Sequence, residues 1–146
     1  MVNWEKFMLE SNRIEKEDRI NPGDEAAFNY ALCQVDDIED ILNIHKLLGE
    51  YLNRSWVGKY RDVVVYIGSH ALPHPDRVPG LMDKFIKRLP KLDSWHAHNE
   101  FEHIHPFQDL NGRTGRLIWL SKAVREGYNF KIPFLQMYYY QTLENC

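Results

Sequence analysis

The sequence predicts an all-α fold that carries one small β-hairpin, and three observations lead there. Apolar residues recur at helical spacing along most of the chain. A single stretch, Lys59 to Gly68, breaks that period with consecutive β-branched residues. With 146 residues and no internal repeat, one hydrophobic core is expected.

In chain order, Trp4, Phe7, Met8 and Ile14 share a face, so residues 3 to 17 read as a short amphipathic helix. Asn21-Pro22 marks a boundary and a helix start, with Ala27, Tyr30 and Ala31 as the stripe that follows. Asp36 or Asp37 then caps a stronger run of Ile38, Ile41, Leu42, His45, Leu48 and Leu52. His45 lies on that apolar stripe, where a satisfied core or boundary histidine is expected rather than a ligand. Lys59 to Gly68 (KYRDVVVYIG) predicts a half-buried strand pair turning at Arg61-Asp62. Ser69 to Gly80, with three prolines, reads as an ordered loop. Three helices follow: Leu81 to Arg88; one capped by Asp93 or Ser94 and bearing Ala97, Phe101 and Ile104; and Arg113 to Arg125, stopping near Gly127. Pro133 opens a last helix through Tyr138 to Leu143.

A formal charge of -3 and a pI near 6.1 give no whole-chain attraction to nucleic acid or an anionic membrane, so neither is an expected partner. No apolar run approaches a membrane span, and Met1 to Glu10 lacks the regions of a signal peptide, which makes the cytoplasm the expected location. Cys33 is expected to be a buried helix residue and Cys146 a terminal bystander, with no disulfide.

The chemistry concentrates in Phe101 to Arg116, FEHIHPFQDLNGRTGR. A helix start with unpaired N–H groups attracts phosphate, and Gly112 is expected to let the chain turn tightly against the anion. Arg113 and Arg116, three apart, would project from neighbouring helix positions. Asp109 is a hard oxygen ligand suited to Mg²⁺, and His105 a natural acceptor for a hydroxyl proton. Each residue also has a plain structural role open to it, as cap, turn or solvated face; their joint occurrence in one loop favours function. His96, His98 and His103 give the segment a superficial zinc-site look without thiolate or HExxH spacing.

At this point the sequence resembles the Fic domain family. Its signature runs histidine, any residue, phenylalanine, any residue, acid, glycine, asparagine, glycine, arginine, two residues, arginine; here it stands as HPFQDLNGRTGR. Lys59 to Gly68 and the VPGLM at 78 to 82 are similar to the family's flap and following helix. The resemblance implies a compact helical domain with a β-hairpin flap over the active site, spanning residues 21–146 behind an N-terminal inhibitory helix and linker at 1–20. It implies a protein adenylyltransferase moving AMP from ATP, with Mg²⁺ or Mn²⁺, to a Ser, Thr or Tyr hydroxyl of a target protein, and it allows self-modification.

By position, the resemblance makes His105 the general base, Asp109 the metal ligand, and Asn111 and Gly112 with adjacent amides the anion hole. Arg113 would hold the β-phosphate and Arg116 the γ-phosphate. Leu110 replaces the family glycine; the expectation is that the position supplies only its N–H, since a torsion closed to leucine would distort the anion hole. Val63, Val64, Val65 and Tyr66 would form a flap edge that pairs with an extended target segment, or simply a core strand. Ser11 and Glu15, four apart, resemble the family's inhibitory motif, with Arg116 as the partner of Glu15. Two further function classes stay open: a non-catalytic nucleotide- or peptide-binding module, and a metal-dependent phosphoester hydrolase.

Overall fold

The computed structural model describes residues 2–130. Among these residues, six α-helices build the body: α1 (Trp4–Ile14), α2 (Asp24–Cys33), α3 (Ile38–Gly49), α4 (Val78–Arg88), α5 (Ser94–Ile104) and α6 (Asn111–Arg125). Between α3 and α4 sit two short antiparallel strands, β1 (Tyr66–Ile67) and β2 (His70–Ala71), paired Tyr66 to Ala71 and Ile67 to His70. Among the described residues no helix is long and apolar enough to cross a membrane. The helix expected from Pro133 lies outside the described residues.

Local chemistry sets the helix starts. Asn3 caps α1 through Lys6 N–H, Asp37 closes a capping box with Asp40 on α3, and Asp93 caps α5 through His96 N–H. Helix α4 begins at Val78, earlier than expected, because Pro79 fits the first turn, where no N–H is needed. The core is continuous: Phe7 and Met8 of α1, Phe28 of α2, Ile41 and Ile44 of α3, Phe85 of α4, Phe101 of α5 and Leu117 of α6 are all buried in one cluster. Phe7 stacks on Trp119, so the N-terminal helix shares its core with α6. Helix α6 is central, packing against α5, α2, α3 and α1. Its approach to α5 depends on Gly115, where a Cβ would collide with Glu102 Oε1.

Two expectations need correction. Cys33 is exposed, because the buried face of α2 is set by Asp24, Ala27, Phe28 and Ala31, and Cys33 falls on the opposite side. The hairpin turns at Gly68-Ser69, not at Arg61-Asp62, since Gly68 supplies the positive φ of 60° that the tight turn requires. Val63 and Val64 therefore precede β1 and are 41% and 44% exposed, so they belong neither to a core strand nor to the ladder. Arg61, expected in that turn, is buried instead.

Candidate active site

The loop from His105 to Leu110 joins α5 to α6 and is held from beneath. Asn111 accepts the Phe107 N–H at 2.8 Å and donates to the Phe107 carbonyl at 2.7 Å, which stiffens the turn like a strand pair. Phe107 is buried and stacks on His45 with ring centroids 3.7 Å apart. The imidazole of His45 accepts the Gly58 N–H at Nδ1 and so donates from Nε2 to the Asp109 carbonyl, both at 2.9 Å. Burial pushes the His45 pKa down to about 4 and keeps it neutral. It is the satisfied core histidine that its position on the apolar stripe suggested.

Leu110 takes φ 67°, ψ 20°, the left-handed region. This corrects the expectation that the position supplies only an N–H: the backbone itself calls for glycine's freedom, and leucine meets it at a cost of about 1–2 kcal/mol. Burial offsets the strain, because the leucine is 7% exposed and its side chain fills the space beside Gly49. Gly112 does not make the turn; it lies within the first turn of α6, with no positive φ. The helix thus begins two residues before Arg113, and the N–H groups of Asn111, Gly112 and Arg113 have no partner one turn earlier in the helix. The Asn111 side chain points into the loop's own backbone, so its contribution to an anion hole would come from its N–H.

His105 ends α5 in a left-handed conformation and its side chain is 19% exposed. Its Nδ1 lies 3.1 Å from the Glu102 carbonyl, the geometry of an Nδ1–H donor, which leaves the Nε2 lone pair as the basic one. Desolvation lowers its pKa, the Glu102 carbonyl opposes that, and the Arg61 guanidinium lowers it further. Glu102, one turn earlier on α5, was missed in the sequence; its spacing of three from His105 was the available signal. Its carboxyl is 3.6 Å from His105 Nδ1, and its Oε1 accepts no hydrogen bond among the described residues. Burial raises the Glu102 pKa to about 7, against the pull of Arg116.

Both arginines of the loop meet carboxylates from the N-terminal segment. Arg116, 1% exposed, donates from Nε to Ser11 Oγ at 2.6 Å and from Nη2 to the Ser11 carbonyl at 3.1 Å and Glu15 Oε1 at 2.8 Å. Arg113 Nη2 lies 3.3 Å from Glu17 Oε1. Glu17 is itself held by Asn21, whose hydrogen bond is the main reason its pKa falls. Asn12 fixes the end of α1 by donating to the Arg19 carbonyl and Asp24 Oδ2, each at 2.8 Å.

A cleft of about 870 Å³ opens above this arrangement, lined among others by Glu15, Glu17, Tyr66, His105, Asp109 and Gly112. Val65 and Ile67 of the hairpin segment also face it, while Val63 and Val64 are absent from its lining. Asp109 is exposed, with Oδ1 accepting the Leu110 N–H at 2.7 Å. Its other oxygen suits one hard cation whose remaining ligands come from phosphate and water, as is usual for Mg²⁺. Among the described residues no group of three or more His, Cys, Asp or Glu converges on a metal position. His96 bonds Asp93, His103 bonds the Asn99 carbonyl, and His98 is buried.

Residues 35–120 match the Fic/DOC family. Among curated relatives, the protein adenylyltransferase Fic of Culex quinquefasciatus is 31% identical over 138 residues, covering 84% of this chain and 27% of that protein. The protein adenylyltransferase Fic of Drosophila melanogaster is 35% identical over 111 residues, 68% of this chain and 23% of that protein. The chain therefore spans about a quarter of the length of these relatives. A crystal structure of a Fic family protein from Desulfovibrio desulfuricans G20 superposes with a TM-score of 0.63 at 28% identity, covering 82% of this chain and 42% of that one. Loop, helix order and family match agree, and the chain belongs to the Fic/DOC family.

Proposed function

We propose that this chain is a protein adenylyltransferase, moving AMP from ATP to a Ser, Thr or Tyr hydroxyl of a target protein, and that its first helix holds it inactive. The observation that carries the proposal is the convergence on one cleft of a basic imidazole nitrogen, a helix N-terminus and an aspartate oxygen that accepts no hydrogen bond among the described residues. Relatives that bear the name protein adenylyltransferase Fic support the same reaction.

Nε2 of His105 would take the proton of the target hydroxyl as its oxygen attacks the α-phosphorus of ATP; the bond from that phosphorus to the bridging oxygen breaks and pyrophosphate leaves. The depressed His105 pKa suits this role, because the imidazole is then neutral at physiological pH. The N–H groups at the start of α6 would face the negative charge that builds on the phosphoryl oxygens, with Arg113 at the β-phosphate and Arg116 at the γ-phosphate. Mg²⁺ or Mn²⁺, held through Asp109, would supply charge neutralisation of the phosphates. Tyr66 and its neighbours would dock the target as an extended segment along the hairpin, backbone to backbone. Self-modification and a cytoplasmic setting belong to the same proposal.

Glu15 occupies the guanidinium that a γ-phosphate needs, and Glu17 does the same to Arg113 at longer range. Ser11 holds Arg116 in that engagement. Incubation with ATP labelled at the α-phosphate, Mg²⁺ and a lysate tests the proposal: Glu15→Gly should label protein, and Glu15→Gly with His105→Ala should not. Label that follows only the γ-phosphate would replace AMP transfer with phosphate transfer.

A further inference from the structure

Arg61 is 3% exposed and, among the described residues, makes no ion pair, so its charge is carried into the protein without an anion. A buried guanidinium is tolerated only where its donors are well satisfied. Here all its partners are backbone carbonyls. Nη1 donates to Val63 at 2.9 Å and Nη2 to Pro73 at 2.6 Å, residues that flank the hairpin on either side. Nε donates to His105 at 2.7 Å, and Nη2 reaches Ile104 at 3.3 Å. The Arg61 N–H donates to the Pro106 carbonyl at 2.9 Å.

From this geometry we infer that Arg61 is a positioning residue, one guanidinium that closes the base of the hairpin and sets it on the turn bearing His105. The inference rests on the AMP-transfer proposal, in which that hairpin docks the target and His105 takes its proton. Four carbonyls from two segments, 63 and 73 on one side and 104 and 105 on the other, are gathered by a rigid planar fork. An ammonium offers three donors on a single nitrogen and cannot span them. Two short strands of two residues each carry too few hydrogen bonds to fix themselves over a cleft, so the clamp decides where the hairpin sits.

The guanidinium also acts on the imidazole electrostatically. The charged groups facing His105 are Glu102 on its own helix, Glu15 at the C-terminal cap of α1, Asp109 from the loop and Arg61. Glu15 and Asp109 favour the imidazolium, while Arg61 disfavours it. Arg61 therefore has two separable effects, one of shape and one of charge. Arg61 does not itself line the cleft, and it has no contact with the helix start at Asn111 to Arg113 among the described residues.

The test compares Glu15→Gly with Glu15→Gly carrying Arg61→Gln or Arg61→Lys. It reads the His105 titration by NMR, hydrogen exchange over residues 63–73, and calorimetric affinity for Mg-ATP. Arg61→Gln should raise the His105 midpoint and speed exchange of the hairpin segment about tenfold or more, with ATP affinity kept within about twofold. Arg61→Lys should speed exchange equally but leave the His105 midpoint near its parent value, because the charge remains. Where Arg61→Gln fails to fold, Arg61→Lys decides alone: fast exchange in a folded protein supports the clamp. Unchanged exchange in either folded variant overturns it, as does an unmoved His105 midpoint in folded Arg61→Gln. None of these readouts needs AMP transfer, so absence of label transfer by Glu15→Gly would defeat the proposed reaction separately.

Discussion

Replacing Glu15 with glycine removes the carboxylate that meets Arg116 at 2.8 Å and leaves the two bonds from that guanidinium to Ser11. A hydrogen bond to a charged group contributes about 1.5–3 kcal/mol. The Glu15 side chain is 38% exposed, so solvent screening places this one at the low end, about 1.5 kcal/mol. Helix α1 should stay docked, since Phe7 and Met8, nearly fully buried, each contribute about 1.5–3 kcal/mol through burial alone. A triphosphate displacing Glu15 must overcome the same 1.5 kcal/mol or so; at about 1.4 kcal/mol per factor of ten, apparent ATP affinity should rise roughly tenfold in Glu15→Gly. The variant should thus melt a few degrees lower while transferring more α-phosphate label at subsaturating ATP. Calorimetry with Mg-ATP, a thermal melt and the label assay over a range of ATP concentrations read all three quantities. Equal ATP affinity and equal transfer in two folded proteins would refute the inhibitory role proposed for Glu15 while leaving those proposed for the loop intact.

Three further outcomes are expected. Leu110→Gly relieves about 1–2 kcal/mol of left-handed strain but gives up a buried leucine whose truncation costs about 2–5 kcal/mol. Net destabilisation of up to about 4 kcal/mol should follow in urea unfolding, with ATP affinity unchanged; a more stable variant would show that strain outweighs burial. Acidification should destabilise the fold between about pH 6.5 and 4.5, because the unfolded chain takes up protons at His45 and His98 that the folded chain, with both pKa values near 4, refuses. Glu102, raised to about 7, opposes one of these two by holding a proton in the folded state, stability that is lost as pH rises through 7. A urea midpoint that is flat across pH 4.5–6.5 would contradict this balance. Asp109→Ala should remove the Mg²⁺-dependent part of ATP binding and leave the metal-independent part, as calorimetry with and without EDTA would detect.

Legibility in the sequence followed the range of the forces involved. Helical stripes and their caps are local, so α1, α3 and α5 were readable to within a few residues of Asn3, Asp37 and Asp93. The loop motif is also local, and it brought His105, Asp109, Arg113 and Arg116 together on one page of sequence. The hairpin was misplaced because Val63, Val64 and Val65 carry strong β propensity, whereas the turn is decided by one positive-φ glycine at position 68. Arg61 was unreadable: its partners are carbonyls, which leave no mark in residue identity, and those at positions 104 and 105 lie more than 40 residues away. The opposite held for Ser11 and Glu15, whose contact with Arg116 spans over 100 residues yet was legible because their four-residue spacing resembles the family's inhibitory motif.

Intact mass spectrometry separates AMP transfer from every alternative by the mass that is added. Glu15→Gly, incubated with ATP, Mg²⁺ and candidate protein partners, should add the mass of an AMP group to a partner or to itself and release pyrophosphate. The same protein carrying His105→Ala should add nothing. Addition of a phosphate mass, or nucleotide binding with no covalent product from any partner, would contradict AMP transfer by this chain.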